Sequence, residues 1–393
     1  MERISDRIYA VGVNDNDKLL FEGLWPLPYG VSYNSYLVMD DKVALIDTVE
    51  AGFEDEFIYN IECVLSGRNI DYLVVNHMEP DHSSLISYII NRYPEVKVVA
   101  NSKTLPMLKG YYDVPQEKIV IMGEGQSLCL GGCNLRFYMI PMVHWPETMV
   151  TYLEEESTVF SGDAFGTYGN ISGTILESEG EFDAYKDEMI RYYATIVGKY
   201  GAPVQAALKK IAGLNPRRIC STHGPVWEDS IPEVVGLYDK MSHYEVERGV
   251  CIAYGSMYGN TAAAADALAI ELDKRGVPYA IHDLSGNNCG ELGLSGALRD
   301  VFKYDTIVVG SPTYNGGIFP PVDSFMRAVA SRGILRRRFF AFGSYTWAAA
   351  SVRLLNKMAQ EMNFSLLGDG AIFSQAYSAD KCDMSKVADL LLC

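Results

Sequence analysis

Two imidazoles and two carboxylates lie within six residues of one another, on His77, Glu79, Asp81 and His82. They follow residues 70–75, an apolar run rich in β-branched and aromatic residues that predicts a buried strand. Side chains from one loop after a strand can converge on a single point. Charged groups beside an apolar strand are costly to bury unless they are paired or bind a metal ion. The pattern therefore indicates a metal site.

Three further predicted strands each deliver one residue of the same kind: residues 137–143 lead to His144, 158–162 to Asp163 and 217–222 to His223. Glycine stands beside two of these residues, where other backbone must approach closely. Each residue alone indicates little. Together with the first loop they form one constellation of seven ligand-type residues.

The regions around these loops predict alternating strands and helices. The first 50 residues alternate apolar and polar positions, which is typical of a β-meander, and its predicted strands are residues 7–13, 33–39 and 42–48. A helix over residues 53–66 follows, then strands over 96–100 and 118–121. A helical stretch, 231–246, would close this first domain.

A second set of loops favours a phosphate and a flat ring. Residues 249–254 predict a buried strand that leads through a small-residue loop, 255–261, into a helix ending near Lys274. This layout can hold a phosphate on backbone N–H groups at a helix N-terminus. Its two glycines do not match the dinucleotide fingerprint. Two more predicted strands, 305–310 and 339–343, end in loops with hydroxyl, glycine and aromatic residues, which suit a ring bound at the edge of a doubly wound sheet.

The predicted ligand-binding residues of these three loops are Ser256, Met257, Tyr258, Gly259, Asn260, Thr261, Pro312, Thr313, Tyr314, Asn315, Gly316, Gly317, Ser344, Tyr345 and Trp347. Tyr314 and Trp347 are the candidates to flank the ring. The alternative is that they are loop aromatics that pack on the core.

The first of these loops resembles the phosphate loop of flavodoxins, in which a Ser/Thr-x-x-Gly-x-Thr run holds the phosphate of FMN. The third loop of that family is commonly richer in glycine, whereas this chain has Thr346, Ala348 and Ala349. We expect a different backbone near the ring, without loss of FMN.

The spacing His-x-Glu-x-Asp-His at residues 77–82 resembles the metal loop of the metallo-β-lactamase fold. The zinc hydrolases of that fold usually have histidine in place of Glu79. A carboxylate adds hard oxygen character, which favours iron or manganese. With the flavodoxin-like loops, essentially the whole chain resembles the flavodiiron proteins. The resemblance implies an α/β chain with a metallo-β-lactamase-like αββα sandwich over residues 1–248 and a flavodoxin-like doubly wound parallel sheet over 249–393.

The resemblance also implies a centre of two iron ions: His77, Glu79 and His144 would hold one iron, Asp81, His82 and His223 the other, and Asp163 would bridge them. Two metals about 3.5–4 Å apart can bind and polarise a small diatomic molecule. Electrons from reduced FMN would reduce dioxygen to water, nitric oxide to nitrous oxide, or both. No catalytic acid–base residue is required beyond the metal site. Tyr192 or Tyr193 could approach the centre, and a core or interface role is the alternative for each.

The overall composition excludes several other classes of protein. The chain has 393 residues, which suggests two or three domains, and a net charge of −17. The charge argues against nucleic acid as a partner, because phosphate binding needs a basic face. No apolar stretch reaches the length of a membrane span, and the N-terminus shows no export signal. We therefore expect a cytoplasmic protein with neither a membrane nor a nucleic-acid partner.

The eight cysteines, Cys289 among them, include no C-x-x-C pair, so their spacing indicates neither a rubredoxin-type iron site nor an iron–sulfur cluster. We expect free thiols in a reducing compartment, with a Cys129–Cys133 pair as the alternative. His243 and His282 lie away from the ligand constellation, and we interpret both as structural.

The family resemblance further implies a head-to-tail homodimer, or a dimer of dimers, in which the FMN of one chain lies beside the iron centre of a second. Neither a rubredoxin nor a flavin-reductase module is apparent, so we expect a separate, rubredoxin-like electron donor. Such donors tend to be acidic, and docking would then need a basic patch; the candidates are Arg332, Arg336, Arg337 and Arg338. The alternative for these arginines is a solvated helix end.

Two other functions are consistent with the same residues. One is a zinc-dependent hydrolase of the metallo-β-lactamase fold with a regulatory flavodoxin domain, against which Glu79 argues. The other is a non-catalytic sensor of flavin and metal, which would show no steady turnover with any reduced donor.

Overall fold

The computed structural model describes residues 1–177, 180–286 and 291–393, so Cys289 lies outside the described residues. Contacts within the chain group these residues into two units. The first unit contains Met1–Leu19, Leu27–Tyr193 and Tyr200–Ser242, and the second contains Leu20–Pro26, Ala194–Lys199 and His243–Cys393. The continuous part of the second unit thus begins at His243, and two short segments from earlier in the chain belong to it.

The strands, numbered in chain order, are β1 Glu2–Arg3, β2 Ile8–Ala10, β3 Val13–Asp15, β4 Leu20–Phe21, β5 Trp25–Pro26, β6 Val31–Tyr33, β7 Tyr36–Met39, β8 Val43–Ile46, β9 Tyr72–Val74, β10 Lys97–Ala100, β11 Ile119–Ile121, β12 Ser127–Cys129, β13 Asn134–Met139, β14 Met149–Leu153, β15 Thr158–Gly162, β16 Arg218–Ser221, β17 Val226–Trp227, β18 Glu247–Tyr254, β19 Tyr279–Asp283, β20 Tyr304–Gly310, β21 Thr313–Tyr314, β22 Gly317–Ile318, β23 Arg338–Tyr345, β24 Ser365–Leu366 and β25 Ala371–Ser374. The α-helices are α1 Glu54–Leu65, α2 Pro80–Ser83, α3 Ile86–Arg92, α4 Leu105–Tyr112, α5 Phe182–Tyr192, α6 Gly201–Leu214, α7 Ile231–Ser242, α8 Asn260–Lys274, α9 Gly293–Lys303, α10 Pro320–Ser331, α11 Ser351–Glu361 and α12 Met384–Leu392.

Two sheets form the first unit. One has the strand order β1-β2-β7-β8-β9-β10-β11 and the other β12-β13-β14-β15-β16-β17. Alternate side chains of a strand point to the same face of its sheet. Val38 and Ile46 from the first sheet and Phe137 and Phe160 from the second accordingly meet in one buried core. The predicted αββα sandwich is therefore confirmed.

Several predicted strands of this unit end earlier than expected, and two of these differences bear on the ligand residues. The strand predicted over residues 42–48 ends before Asp47, whose backbone takes a left-handed φ of 56°. The strand predicted over 137–143 ends before Pro141, which has no N–H to donate to a neighbouring strand. His144 consequently lies in a loop between β13 and β14 rather than at the end of a strand.

One parallel sheet forms the second unit, with the order β19-β18-β20-β23-β24 and with β25 also paired to β23. All of these pairings are parallel. Strand β18 comes before β19 and β20 in the chain but lies between them in the sheet. This is the order of doubly wound, flavodoxin-like sheets. Val250, Ile252, Val308 and Phe342 are buried in its core, as expected for strands covered on both faces.

The four arginines proposed as a docking patch do not form an exposed cluster. Only Arg336 is exposed. Arg337 is 1% exposed, and its guanidinium donates to the carbonyl oxygens of Val301 at 2.9 Å and Leu335 at 2.7 Å. Arg332 is half-buried and donates to the carbonyl of Ala194 at 2.6 Å. The prediction of a four-arginine docking patch is wrong, because Arg332, Arg337 and Arg338 donate to backbone carbonyls, and the alternative of a solvated side chain holds for Arg336 alone.

We expect Arg337→Gln to lower the free energy of unfolding of the second unit by about 3 kcal/mol, because the shorter amide leaves buried carbonyls without donors. Arg336→Gln is the matched control, and its exposed position predicts a change within about 0.5 kcal/mol. Urea unfolding followed by near-UV circular dichroism measures both. Equal losses in the two variants would contradict the structural role of Arg337.

The remaining predictions concern cysteines, histidine and membrane spans. Cys129 and Cys133 are both free, so the alternative of a disulfide between them is excluded. His282 Nε2 lies 2.7 Å from Asp300 Oδ2, a contact within the second unit that agrees with a structural role. Among the described residues, no helix combines the length and the apolar character needed to cross a membrane.

Candidate metal centre and ligand cavity

Four segments bring the seven ligand-type residues together. One is the loop from β9 into α2, a short helix that contains Asp81 and His82, and the other three are the loops that follow β13, β15 and β16. These three strands run in the same direction, because β14 lies antiparallel between β13 and β15 while β16 is parallel to β15. Their carboxyl ends therefore lie at one edge of the sheet. The seven buried residues at this edge are His77, Glu79, Asp81, His82, His144, Asp163 and His223.

Two residues just past β8 anchor the first loop. The Asp47 carboxylate accepts hydrogen bonds from the backbone N–H and the side-chain amide of Asn76, at 2.7 and 3.0 Å. The hydroxyl and the backbone N–H of Thr48 both donate to the carbonyl oxygen of His82, at 2.7 and 2.8 Å. Sequence reasoning placed both residues inside a strand and missed this role. The only local signal is a polar pair directly after an apolar run.

One cluster of possible metal ligands contains His77, Glu79, His144 and Asp163, whose ligand atoms all lie within 4.8 Å of one another. Glu79 Oε2 is 3.3 Å from His77 Nε2 and 2.9 Å from His144 Nε2. Asp163 Oδ2 is 3.5 Å from His77 Nε2 and 3.1 Å from His144 Nε2. Two imidazole nitrogens thus face two carboxylate oxygens around one point.

A second cluster contains Asp81, His82 and His223. Asp81 Oδ2 is 3.2 Å from His82 Nε2 and 3.4 Å from His223 Nε2. Asp163 Oδ1 is 3.0 Å from His82 Nε2 and 3.8 Å from His223 Nε2. Asp163 therefore presents Oδ2 to the first cluster and Oδ1 to the second.

The charges of the two clusters stabilise one another. Although burial raises the pKa of Asp163, the imidazoles of His82 and His77 hold it well below its ordinary value. Although burial lowers the pKa of His144, hydrogen bonds to Asp163 and Glu79 raise it to about 9. The carboxylates of the clusters are therefore ionised, and their negative charge favours a bound cation, whether a proton on an imidazole or a metal ion.

The buried groups of the second cluster fit a metal ion. Neither oxygen of Asp81 has a hydrogen-bond partner among the residues that the structure describes. His82 Nε2 and His223 Nε2 lie only 3.0 Å apart. A buried carboxylate that no donor satisfies is costly, and a divalent cation between these atoms would satisfy it. Imidazole and carboxylate are ligands that iron accepts, so the residues present fit a two-metal centre.

An outer layer of polar groups orients these ligands. Glu147 Oε1 lies 2.9 Å from His77 Nδ1, and the Thr222 hydroxyl donates to Asp163 Oδ1 at 2.7 Å. Partners of this kind fix the orientation of a metal ligand. Sequence reasoning named neither residue. The signal available for Glu147 was its position three residues after His144, in the same loop.

Of the two tyrosines named from the sequence, one contacts the centre. The ring of Tyr192 lies 5.4 Å from the ring of His223, centroid to centroid. Burial raises the pKa of the Tyr192 phenol well above its ordinary value, and the charge of Asp163 raises it further. The ring of Tyr193 instead packs edge-on against Tyr238, at 5.1 Å. Tyr192 is therefore a neutral phenol next to a metal ligand, whereas Tyr193 is a core residue.

The predicted ligand-binding loops of the second unit surround a cavity of about 380 Å³. Its lining residues are Ser256, Met257, Tyr258, Asn260, Thr261, Pro312, Thr313, Tyr314, Asn315, Gly316, Ser344, Tyr345, Thr346, Trp347, Ala348 and Gln375. The volume lies within the usual range for small-molecule and cofactor sites. The loops that follow three neighbouring parallel strands thus meet around one space.

The geometry of this cavity suits a phosphate at one end. Helix α8 begins at Asn260 on its wall, directly after Gly259, whose φ of 84° is a conformation that glycine adopts without strain. The Ser256 hydroxyl accepts a hydrogen bond from Gly259 N at 3.1 Å, which closes the turn. The N–H groups of a first helical turn and the helix dipole both favour an anion.

Large aromatic surfaces face the same space. Tyr258 and Trp347 are each 88% exposed, and Tyr314 is 41% exposed. The alternative that Tyr314 and Trp347 pack on the core is therefore wrong. Ring surfaces of this kind can stack on a flat ligand. Gly259 and Gly317 were predicted to bind the ligand but do not line the cavity, because Gly259 makes the turn before α8 and Gly317 lies in β22.

Three wall residues, Thr346, Ala348 and Gln375, were absent from the predicted set, and two predicted residues lie in a different element than expected. Gln375 lines the cavity just after β25, where a single glutamine gives no recognisable signal. Ser344 and Tyr345 line the cavity from the end of β23, not from a loop. Thr346 and Ala348, at which the third loop departs from the flavodoxin pattern, are wall residues themselves.

Family models match both parts of the chain. Residues 31–224 match a model described as ODP family beta lactamase, and residues 252–384 match a flavodoxin model. The first match contains all seven residues of the two metal-ligand clusters, and the second contains every residue that lines the cavity.

Individual proteins are similar over nearly the whole chain. An uncharacterized protein of Methanocaldococcus jannaschii is 32% identical over 93% of this chain and 91% of its own length. An anaerobic nitric oxide reductase flavorubredoxin of Aliivibrio fischeri is 30% identical over 92% of this chain and 73% of its own. The solved structure of a rubredoxin oxygen:oxidoreductase from Desulfovibrio gigas superposes with a TM-score of 0.92 at 27% identity, covering 99% of this chain and 97% of that one.

Proposed function

This chain belongs to the flavodiiron protein family, and from that premise we propose that it is an oxidoreductase that reduces dioxygen to water, nitric oxide to nitrous oxide, or both, with electrons from FMN. The observation that carries the proposal is the position of Asp163. One carboxylate presents its two oxygens to two separate histidine–carboxylate clusters, which is the arrangement that a pair of metal ions needs.

We assign the iron ligands residue by residue. His77, Glu79 and His144 would hold one iron, Asp81, His82 and His223 the other, and Asp163 would bridge the two. When bound, the iron pair supplies the redox and Lewis-acid chemistry that reduction of a diatomic gas requires. The metal-binding domain would comprise residues 1–248.

The cavity of the second unit would hold FMN, in a domain that comprises residues 249–393. We propose that the phosphate binds where α8 begins and that the ring lies between Tyr314 and Trp347. The hydroxyls of Ser256 and Thr261 would complete the phosphate site. Gly259 supports it through the turn that it makes, without lining the cavity.

Tyr192 would hold a proton for the reaction at its phenolic oxygen. Reduction of either gas puts negative charge on oxygen, and a buried hydrogen-bond donor stabilises such charge. Because burial and the surrounding carboxylates raise the pKa of Tyr192, the phenol stays protonated at neutral pH and can donate a hydrogen bond.

We expect Tyr192→Phe to slow gas consumption on the order of 10-fold, since the hydrogen bond that it loses contributes about 1.5 kcal/mol. The iron and FMN content should not change, because the ring and its packing against His223 remain. Tyr193→Phe is the matched control and should keep the wild-type rate. The rates are measured anaerobically with a gas electrode, and equal rates for wild type and Tyr192→Phe would rule out this role.

The partners that we propose are a rubredoxin-like electron donor and a second copy of the chain. Two of the relatives above carry rubredoxin in their names, which supports the donor. A head-to-tail homodimer, or a dimer of dimers, would bring FMN and iron of different chains together. We also propose a cytoplasmic location, since the free cysteines suit a reducing compartment.

The test of the function uses the protein loaded with iron and FMN and reduced without air. Dioxygen and nitric oxide are then supplied separately while their consumption is followed. We expect rapid turnover of at least one gas, and the ratio of the two rates gives the preference. Consumption of neither gas by fully loaded protein would refute the reductase and favour a sensor. Hydrolytic turnover with a bound zinc pair would instead favour the hydrolase.

A further inference from the structure

The ring nitrogens that point away from the metal centre have three different surroundings. His77 Nδ1 lies 2.9 Å from the Glu147 carboxylate. His223 Nδ1 donates to the backbone carbonyl oxygen of Ser32 at 2.7 Å. His82 Nδ1 has no hydrogen-bond partner within residues 1–177, 180–286 and 291–393. His77 therefore has an anion behind its ring and His223 a neutral acceptor, whereas His82 has neither within the described ranges.

Glu147 is held firmly in this position. Its side chain is fully buried, and Oε1 also accepts a hydrogen bond from the backbone N–H of Met78 at 3.0 Å. The side-chain amide of Asn101 donates to the backbone carbonyl of Glu147 at 2.5 Å. A carboxylate fixed at Nδ1 keeps the proton of His77 on that nitrogen. The Nε2 lone pair is thereby directed toward the metal centre.

We propose that Glu147 is a positioning residue that makes the His77 side of the centre the tighter of its two metal positions. The inference rests on the proposed function in requiring that both clusters hold metal. A carboxylate behind an imidazole raises its basicity and fixes its orientation. Hydrogen bonds to charged groups are stronger than those to neutral ones, so the carbonyl behind His223 has a smaller effect. The two metal positions are consequently unequal.

The test is an anaerobic titration of the metal-free chain with Co²⁺, followed by visible absorption and calorimetry. We expect two binding steps of different affinity for the wild type. Glu147→Gln keeps an oxygen that can accept the Met78 N–H but removes the charge. The tighter step should weaken 10–100-fold in this variant, while the weaker step remains unchanged. Because cobalt binding is measured directly, the result does not depend on turnover.

Two further variants provide the controls. Glu124→Gln removes a carboxylate that lines the same cavity of about 230 Å³ as Glu147 but pairs with Lys210 at 2.9 Å, away from the histidines. It should bind cobalt as the wild type does. Glu147→Asp keeps the charge at a shorter reach and should recover part of the tight step. Near-UV circular dichroism of each metal-free variant checks the fold.

Three outcomes would overturn the inference. The first is wild-type affinity in both steps for Glu147→Gln. The second is a loss confined to the weaker step, which would place the effect on the other metal position. The third is a tight step that is weaker in Glu147→Asp than in Glu147→Gln, because the charge would then be irrelevant. A wild-type chain that binds fewer than two cobalt ions would refute the two-metal function itself, and the inference with it.

Discussion

The Asp163→Asn variant should bind at most one iron ion per chain and consume dioxygen and nitric oxide at least ~100-fold more slowly than the wild type. Asp163 is the residue whose two oxygens face both metal-ligand clusters. An amide has one acceptor oxygen and no charge, so it cannot bind two cations in this way. Even partners outside the ligand shell typically affect metal affinity or activity 10–100-fold, and we expect a bridging ligand to exceed that range.

Iron per chain after anaerobic reconstitution and gas consumption by the flavin-loaded variant measure the effect of Asp163→Asn. Asp41→Asn, at an exposed position of the same unit, is the control and should match the wild type. FMN content should be unchanged in both variants, because the flavin cavity belongs to the other unit. Two iron ions per chain in Asp163→Asn would contradict the bridging role.

The second large effect is expected at the flavin cavity, where Asn260→Asp should weaken FMN binding about 100-fold. Asn260 is the first residue of α8 and lines the cavity at the proposed phosphate site. A carboxylate about 5 Å from a phosphate charge costs about 3 kcal/mol at an effective dielectric constant of 20. That penalty corresponds to a change of about two orders of magnitude in affinity.

Asn260→Ala separates charge from the loss of the amide. Alanine is a good helix former, so this variant should keep α8 intact and weaken FMN binding only about fivefold. Quenching of flavin fluorescence on addition of apoprotein gives both dissociation constants. If the alanine and aspartate variants bind FMN equally well, the phosphate does not lie at the N-terminus of α8.

The metal ligands could be found from the sequence because local rules determine them. Four lie in one six-residue segment after an apolar run, which the structure divides between a loop and α2, and the others follow strands or the turn after a strand. Their outer partners could not be found in this way. Glu147 meets a histidine 70 residues away, Thr222 an aspartate 59 residues away and Asp47 an asparagine 29 residues away. The packing of the two sheets forms the first of these pairs, and the order of neighbouring strands within one sheet forms the other two.

The arginine cluster shows a limit of reading charge from sequence alone. Arg336, Arg337 and Arg338 are consecutive, but only the first is exposed. The backbone carbonyls that Arg337 satisfies belong partly to α9, more than thirty residues earlier in the chain. The run of like charges therefore indicated a surface patch. In the structure Arg337 is instead buried, and it binds the backbone of α9, which lies far away in the chain.

The ligand-type residues come from both layers of the sandwich: the loop after β9 belongs to one sheet, and the loops after β13, β15 and β16 belong to the other. A bound iron would consequently join the two layers as a cross-link. Its binding free energy would add to the stability of the folded first unit, because the unfolded chain cannot assemble the site. The resistance of the protein to cellular proteases would then depend on the iron supply, and iron starvation would shorten its lifetime.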